Sequence, residues 1–462
     1  MKITFRGATQ TVTGSQTLFE HNGYCGLVDC GLFQGDKSQR LLNWRPAEDL
    51  KKIECVLLTH AHIDHSGLLP RLVSQGWRKP IYCTPSTKDL LKIMLLDSAH
   101  LQEEDARFAN LTKHSKHSPA LPLYTTKDAE EALKLIYTIE WNQWTALSKF
   151  VSFRFLRAGH ILGSAILQVR FDLEHSSKLL TWSGDLGSGH SDILRDPVHA
   201  LETDFLVLES TYGDRRVDIA GREKRLGEII SKVIGRGGTI VIPVFAVGRT
   251  QDLLVSLYRL TQRKEIPSTP IYLDSPMATS VTRVYLNHIN ELKESALSAD
   301  LEAALSAGSF FEAITSSEES HRLAEARGAK IVLSASGMLQ GGRVLHHLKN
   351  KLPDRNNGVL FVGYQGAGTK GRLLQSGIPV IRLHHQQLKV EAEIFNIDGY
   401  SAHADSDALI NWVAGFSKKP QTIFLNHGEP LAQSALAYRL FQELGIRGLI
   451  PQQNEAFELA EN

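Results

Sequence analysis

Short apolar runs alternate with polar segments along the first half of the chain, and most runs end at Gly or Asp. Such runs, about four to eight residues long and rich in Val, Ile, Leu and Phe, are typical of β-strands. We predict strands at Tyr24–Val28, Ile53–Leu58, Val151–Phe155, Ile166–Phe171, Lys178–Trp182 and Phe205–Leu208. Helices are predicted at about Thr87–Ala109 and Thr126–Tyr137, and a capping box of Thr125 and Asp128 begins the second.

After Gly213 the pattern becomes a regular alternation of apolar strands and helices. The strands are predicted at Thr239–Pro243, Ile271–Leu273, Lys330–Leu333 and Val359–Val362. This alternation indicates a parallel sheet that is covered on both faces. We therefore predict an α/β fold in which residues 212–394 form a separate unit. This unit is inserted into a first domain that consists of residues 1–211 and 395–462.

The composition is that of a soluble globular protein and leaves the substrate open. Hydrophobic residues make up 42%, charged residues 22%, and the formal net charge is +1. A surface that binds nucleic acid would therefore have to be locally basic. The N-terminus lacks a signal-peptide pattern, no apolar run approaches the ~20 residues that span a bilayer, and the four cysteines lack C-x-x-C spacing. We expect a cytoplasmic protein without a membrane partner.

The strongest chemical signal is the segment Thr59–Gly67, which follows a predicted buried strand. It contains His60, His62, Asp64 and His65 within six residues. Imidazole and carboxylate groups are good ligands for zinc and similar divalent ions. A polar loop with surface histidines is the alternative, but so dense a set of ligands directly after an apolar strand favours a metal site.

Three further candidate ligands lie where predicted strands meet glycines: Asp29, His160 and Asp185. Functional side chains are often carried by loops that a rigid scaffold positions. Each of these residues alone would more often be a turn residue. Together with the His60 loop, they indicate one shared site.

With these motifs the sequence resembles the metallo-β-lactamase superfamily. Five motifs occur in the order of that family, namely Asp29, the His60 loop, His160, Asp185 and a late histidine, His427. Three further runs are similar to motifs A, B and C of its β-CASP nuclease branch, namely Glu209–Gly213, Ser401–Asp405 and Asn426–Glu429. The resemblance covers essentially the whole chain. It is to bacterial homologues of the polyadenylation-specificity-factor endonuclease subunit.

This resemblance implies a fold and a metal site. The fold would be a metallo-β-lactamase αββα sandwich with an inserted β-CASP domain, whose mostly parallel sheet is flanked by helices. The first of two metal ions would take His60, His62 and His160, the second Asp64, His65 and His427, and Asp185 would bridge them. Asp29 would orient a ligand histidine by a hydrogen bond. Two Zn²⁺ ions are expected, and Mn²⁺ would also fit one position.

The resemblance also implies a mechanism, in which the two metal ions hold a hydroxide that attacks the phosphate in line. His403 would be the general acid, and Glu209 would accept its second ring proton. The expected catalytic residues are thus Asp64, Glu209 and His403. His427 favours RNA over DNA, because RNA-processing members of the branch carry a histidine in motif C.

Three residues of the inserted unit are expected to contact substrate phosphates: Ser336, Gly337 and Arg343. Small residues at a strand end expose backbone N–H groups that can bind anions. A simple turn with a surface arginine is an equally good interpretation of this segment.

Two histidine pairs, His346–His347 and His384–His385, are predicted on a helix and on a strand. Adjacent side chains point apart in both kinds of element. Neither pair is therefore expected to bind a metal ion by itself.

The leading hypothesis is a zinc-dependent ribonuclease that hydrolyses single-stranded RNA bound in the cleft between the two domains. The alternatives are a DNA nuclease of the same fold, a small-ester metallohydrolase, and a non-catalytic RNA-binding scaffold. The sequence does not distinguish an endonuclease from a 5′-exonuclease. It also leaves open the natural RNA substrate, the metal loaded in the cell and the oligomeric state, for which a homodimer is one option.

Overall fold

The computed structural model describes residues 1–45, 50–113, 117–199, 202–294, 299–363, 365–366, 368–384 and 386–459. The chain divides into two compact units. The first unit consists of Met1–Gly189, Asp196–Arg216 and His403–Asn462, and the second of His190–Arg195 and Val217–Ala402.

Among the described residues, the first unit begins with eleven strands and five helices. The strands are β1 (Lys2–Phe5), β2 (Thr17–His21), β3 (Tyr24–Val28), β4 (Cys55–Leu57), β5 (Ile81–Cys83), β6 (Ile136–Thr138), β7 (Thr145–Ala146), β8 (Val151–Arg157), β9 (Ala165–Asp172), β10 (Ser177–Trp182) and β11 (Phe205–Glu209). The helices are α1 (Lys37–Leu42), α2 (Ile63–Ser66), α3 (Leu69–Ser74), α4 (Pro85–Thr112) and α5 (Thr126–Lys134).

The second unit and the return to the first unit carry the remaining elements. The strands of the second unit are β12 (Thr239–Pro243), β13 (Ile271–Asp274), β14 (Glu312–Ala313), β15 (Lys330–Ser334), β16 (Gly358–Phe361), β17 (Val380–Leu383), β18 (Gln386–Lys389) and β19 (Glu393–Asn396). Its helices are α6 (Arg222–Gly235), α7 (Arg249–Gln262), α8 (Pro276–Asn287), α9 (Ala299–Leu305), α10 (Ser317–Glu325), α11 (Val344–Lys351) and α12 (Lys370–Gln375). The first unit ends with β20 (Thr422–Asn426), β21 (Gly448–Leu449), β22 (Ala456–Glu458), α13 (Ser406–Ala414) and α14 (Pro430–Leu444).

Two seven-stranded sheets form the centre of the first unit. Their strand orders are β22-β1-β2-β3-β4-β5-β6 and β21-β20-β11-β10-β9-β8-β7. Apolar side chains from both sheets, including Phe19, Leu57, Phe155 and Phe171, pack into one buried layer between them. Strand β11 is buried along its whole length, since its other face packs against α13 and α14. This arrangement is the predicted αββα sandwich, in which helices cover the outer faces of two packed sheets.

The second unit contains a six-stranded sheet in the order β14-β13-β15-β12-β16-β19, and every pairing in it is parallel. Helices α6 and α11 both pack against β12. Strands β17 and β18 form a separate antiparallel hairpin. The predicted α/β fold with a mostly parallel sheet is thus confirmed. No helix in the described parts of either unit has the length and apolarity needed to cross a bilayer.

The prediction of one helix at Thr126–Tyr137 was wrong at its C-terminal end. The capping box of Thr125 and Asp128 is present, but the helix stops at Lys134. The next residues, Ile136–Thr138, form β6 and pair in parallel with β5. β-Branched and aromatic residues favour a strand, and the neighbouring strand supplies hydrogen bonds that the local pattern alone could not indicate.

Candidate metal centre

The candidate ligands of the first unit lie on loops at the ends of strands. His60 follows β4, His160 follows β8, Asp185 follows β10, and His427 directly follows β20. Positive φ angles turn the chain at His427, with 51°, and at Asp29, which directly follows β3, with 59°. Gly428 lets the chain after His427 pass close to Ser210, because a Cβ atom at residue 428 would lie only 2.3 Å from Ser210 Oγ.

Three histidines and Asp185 form a first group. His62 Nδ1 lies 3.1 Å from His60 Nε2 and 3.2 Å from His160 Nε2. Asp185 Oδ2 lies 3.5 Å from both His60 Nε2 and His160 Nε2. Four potential ligand atoms from three chain segments, the His60 loop and the ends of β8 and β10, therefore face one point.

Asp64, His65 and His427 form a second group beside the first. His65 Nε2 lies 3.2 Å from His427 Nε2, and His427 Nε2 lies 3.4 Å from Asp64 Oδ2. The second carboxylate oxygen of Asp185, Oδ1, lies 3.4 Å from His65 Nε2 and from His427 Nδ1. Asp185 thus directs one oxygen toward each group.

Asp29 is buried behind the His60 loop and holds it in place. Its Oδ2 lies 2.7 Å from His65 Nδ1, and its Oδ1 accepts hydrogen bonds from the backbone N–H and the hydroxyl of Thr59. Ser15 Oγ donates to Asp29 Oδ2 as well. These bonds fix the ring of His65 so that its Nε2 faces the second group.

His403 and Glu209 lie next to the first group and form a third set with Asp185. His403 Nδ1 lies 3.2 Å from Glu209 Oε1, and the rings of His403 and His160 are 4.4 Å apart. The Glu209 carboxylate is buried and also accepts backbone N–H bonds from Leu186 at 2.8 Å and Thr211 at 3.2 Å. Glu209 is therefore fixed, and it orients the imidazole of His403.

The protonation of the buried histidines differs between the two groups. Burial lowers the pKa of His60 well below its usual value and that of His62 to about 4, so both rings are neutral. Burial alone would also lower the pKa of His65, but the Asp185 and Asp29 carboxylates raise it well above the usual value. Burial would likewise lower the pKa of His427, and the charge of Asp185 raises it.

These residues fit divalent metal ions better than a closed hydrogen-bond network. Three of the short contacts join two ring nitrogens, and the neutral imidazoles of His60 and His62 have only one N–H each to share. Asp185 Oδ1 is buried, and among the described residues no donor makes a well-formed hydrogen bond to it. Nitrogen and carboxylate ligands that converge in this way are typical of zinc sites.

Two threonines support this centre and were not singled out from the sequence. Thr59 Oγ1 lies 3.1 Å from His60 Nδ1, and Thr211 Oγ1 lies 3.1 Å from His427 Nδ1. Each hydroxyl contacts the Nδ1 atom of a candidate ligand and so helps to orient that ring. Both threonines lie within the runs Thr59–Gly67 and Glu209–Gly213, but their local sequence does not distinguish them from structural threonines.

The candidate phosphate contacts lie in the second unit. Ser336 and Gly337 follow β15, on the loop that leads to α11, and Arg343 ends that loop. The Arg343 guanidinium donates to Asp274 Oδ1 at 2.9 Å and to the backbone oxygens of Ile314 and Thr315. Arg343 therefore ties its end of the loop to the end of β13.

Three domain families match the chain. The Metallo-beta-lactamase superfamily matches residues 10–137, the Beta-Casp domain residues 250–374, and the Zn-dependent metallo-hydrolase RNA specificity domain residues 387–451. In fold, the chain is similar to a crystal structure of a protein of unknown function from Enterococcus faecalis, with a TM-score of 0.54, 13% identity and 99% of both chains covered.

Named relatives cover most of the chain. Ribonuclease TTHA0252 of Thermus thermophilus is 36% identical over 434 residues, with 93% of each chain covered. Transcription termination factor FttA of Pyrococcus horikoshii is 33% identical over 423 residues, and the match spans 88% of this chain but 62% of FttA. The chain therefore belongs to the metallo-β-lactamase superfamily and, within it, to the β-CASP ribonuclease branch.

Proposed function

We propose that the protein is a zinc-dependent ribonuclease that hydrolyses phosphodiester bonds of single-stranded RNA. The observation that carries the proposal is the pair of ligand groups that share Asp185, with one carboxylate oxygen directed toward each. A single ion would leave one of these groups without a function. Two adjacent ions are the arrangement that phosphoryl transfer commonly uses.

The chain's own residues divide into two ligand sets. His60, His62 and His160 would hold one ion, Asp64, His65 and His427 the other, and Asp185 would lie between them. When bound, two such ions supply a nucleophile at neutral pH and neutralise the phosphate oxygens. Mn²⁺ is also compatible with the position of Asp64, His65 and His427, which has the larger share of carboxylate ligands.

His403 would donate the proton that the leaving oxygen needs. Glu209 Oε1 engages His403 Nδ1, so the proton to be donated lies on Nε2 of the same ring. The short distance between the rings of His403 and His160 supports a position beside the reacting phosphate. Glu209 would be a positioning residue, because its two oxygens are occupied by His403 and backbone N–H groups.

Three observations support RNA as the substrate. His427 occupies motif C, the RNA specificity domain matches residues 387–451, and the relative from Thermus thermophilus is named a ribonuclease. A small ester would have little use for His403, Glu209 and a large second unit. DNA is the alternative substrate within the same branch.

In the second unit, we propose that the loop carrying Ser336 and Gly337 contacts the RNA backbone. The contacts of Arg343 favour a role in anchoring this loop over direct contact with a phosphate. Arg343→Lys would then raise KM for RNA and leave kcat nearly unchanged, because lysine cannot make the three contacts together.

The test is to incubate the zinc-loaded protein with 5′-labelled single-stranded RNA and with the matching DNA. A His403→Ala variant and a chelator-treated sample serve as controls. We expect the wild type to cut RNA, the His403→Ala variant to cut it about 10²–10⁴-fold more slowly, and the chelator-treated sample to be inactive. The fragment lengths then separate endonucleolytic from 5′-exonucleolytic cleavage.

Other outcomes point to the alternatives. Cleavage of DNA at an equal or higher rate would identify a DNA nuclease. If the zinc-loaded protein cuts neither strand and the variant binds RNA as well as the wild type does, the non-catalytic scaffold replaces the ribonuclease.

A further inference from the structure

Three histidines of the second unit lie side by side. They do not belong to the candidate metal centre, which lies in the first unit. His321 belongs to α10, His346 to α11, and His384 lies at the end of β17 where the hairpin turns. His321 and His384 are exposed, and His346 is half-buried. Three separate elements thus bring together imidazoles that are far apart along the chain.

The first residues of the two histidine pairs, His346 and His384, both contribute to this cluster. The ring centroids of His346 and His384 are 4.7 Å apart, and those of His346 and His321 are 4.6 Å apart. His347 points instead into the core, where its Nε2 lies 2.6 Å from Asp274 Oδ2. His385 lies outside the described residues.

The ring spacing matches that of the candidate metal centre. There, the centroids of His60 and His62 are 4.9 Å apart and those of His62 and His160 are 5.0 Å apart. Two imidazoles that bind one ion tetrahedrally at about 2.0–2.1 Å have ring centroids roughly 5 Å apart. The His321–His346 pair also has the steep interplanar angle of that centre, 71° against 79° for His60–His62.

His384 needs a local rotation to become the third ligand. Its ring stacks on that of His346 at an interplanar angle of 24°, so the two rings do not yet direct their nitrogens to one point. Exposed side chains change rotamer within picoseconds to nanoseconds, and the second side-chain torsion of histidine is broad. The rotation is therefore a small obstacle to binding.

We propose that His321, His346 and His384 form a surface site for a single borderline transition-metal ion such as Zn²⁺, Ni²⁺ or Co²⁺. Imidazole suits these ions, and water would complete the coordination. The ion would join α10, α11 and the β17–β18 hairpin, and would stabilise this side of the second unit by binding only its folded form. Binding would be weaker than in the buried centre, because the three ligands are neutral and Lys349 lies one turn away.

The first test is retention of the untagged, zinc-loaded protein on immobilised Ni²⁺. We expect the wild type to be retained and His346→Ala to elute at least about tenfold earlier in competing imidazole, because one imidazole can no longer share the ion. His175→Ala is the matched control, since His175 is 89% exposed and belongs to the other unit. Retention of His346→Ala equal to that of the wild type would overturn the proposal.

The second test counts zinc ions per chain by equilibrium dialysis. Wild type should bind one equivalent more than His384→Ala, with a dissociation constant below about 100 µM. His384→Ala alters an exposed turn residue, and an unchanged circular dichroism spectrum would verify its folding. Equal stoichiometry in the two proteins, or extra binding only above that concentration, would refute the site. The count is a difference between variants, so it does not depend on whether the buried centre catalyses RNA cleavage.

Discussion

Each of the two units contains a buried cluster of polar residues, and the two clusters differ in how their carboxylates and imidazoles are hydrogen-bonded. In the candidate metal centre, ring nitrogens face one another and Asp185 Oδ1 accepts no well-formed hydrogen bond from the described residues. In the second unit, the buried carboxylate of Asp274 accepts from Ser320 Oγ at 2.6 Å, His347 Nε2 at 2.6 Å and Arg343 Nη1 at 2.9 Å. The Asp274 carboxylate is thus paired with donors on both of its oxygens, whereas Asp185 Oδ1 is not.

The difference separates a structural cluster from a site that is organised for a ligand. Burying charged or polar groups without partners costs several kcal/mol, so a protein retains such an arrangement only where something else completes it. Histidine and aspartate occur in both clusters, and residue type alone would not distinguish them. The orientation of their nitrogens and oxygens does.

The largest expected effect is that of Asp185→Asn on catalysis. We expect kcat/KM for RNA to fall by about 10⁴-fold, because an amide cannot serve both ligand groups and several kcal/mol of transition-state stabilisation are lost. Steady-state cleavage of labelled RNA and the zinc content of the purified variant measure this. Asp172→Asn, at an exposed strand end, is the control. Activity within tenfold of the wild type would remove Asp185 from the centre.

Asp274→Asn should produce the reverse result, with large loss of stability and retained zinc. We expect the free energy of unfolding to fall by about 3 kcal/mol, because the Arg343 guanidinium loses its counter-charge. Ser320→Ala removes one neutral donor and should cost about 1 kcal/mol. Urea denaturation measures both. Equal losses for the two variants would mean that the charge of Asp274 contributes little.

The same cluster predicts a dependence on pH. Burial alone would raise the pKa of Asp274, but the hydrogen bonds from His347, Ser320 and Arg343 lower it below its usual value. The stabilisation is therefore present above the unfolded pKa of about 3.9 and is lost as the pH falls through the lower folded value. The difference in unfolding free energy between wild type and Asp274→Asn should shrink below about pH 4. A constant difference down to pH 3 would contradict this.

Glu209→Gln should have a moderate effect that is confined to the chemical step. The glutamine has one acceptor oxygen, whereas Glu209 accepts from His403 and from two backbone N–H groups. We expect kcat to fall by about 10–100-fold, as the imidazole of His403 loses its fixed orientation, while zinc content and KM stay unchanged. In the His403→Ala background the same substitution should have almost no further effect on kcat. Additive losses would assign Glu209 a role apart from His403.

The smallest effect on activity in excess zinc is expected for Asp29→Asn, which leaves every candidate ligand in place. Zinc affinity of the centre should fall by about 10–100-fold, because His65 loses the carboxylate that fixes its ring. Competition with a fluorescent chelator measures this change. Activity should recover in excess zinc, unlike that of Asp185→Asn. Failure to recover would indicate that Asp29 supports more than the orientation of His65.

Local patterns determined much of the fold and the candidate ligands. Each predicted strand of the first unit overlaps an observed strand, and β3 and β12 have the predicted bounds. The end of each apolar run marks the end of a strand and the start of a polar loop. His60, His160 and Asp185 come just after such runs, so the sequence placed them on these loops. The resemblance to the motifs of the β-CASP branch also identified His427 and His403, although they are distant along the chain.

Only the tertiary structure decided which atoms meet. Strand β6 depends on pairing with β5, and the cluster of His321, His346 and His384 depends on the packing of three elements. The hydrogen bond from Arg343 to Asp274 likewise joins residues that are 69 positions apart in the sequence. Patterns within a few residues report the conformation of one element and the face that it buries. They carry no information on the direction of a side chain relative to partners that arrive from elsewhere, because packing sets that direction.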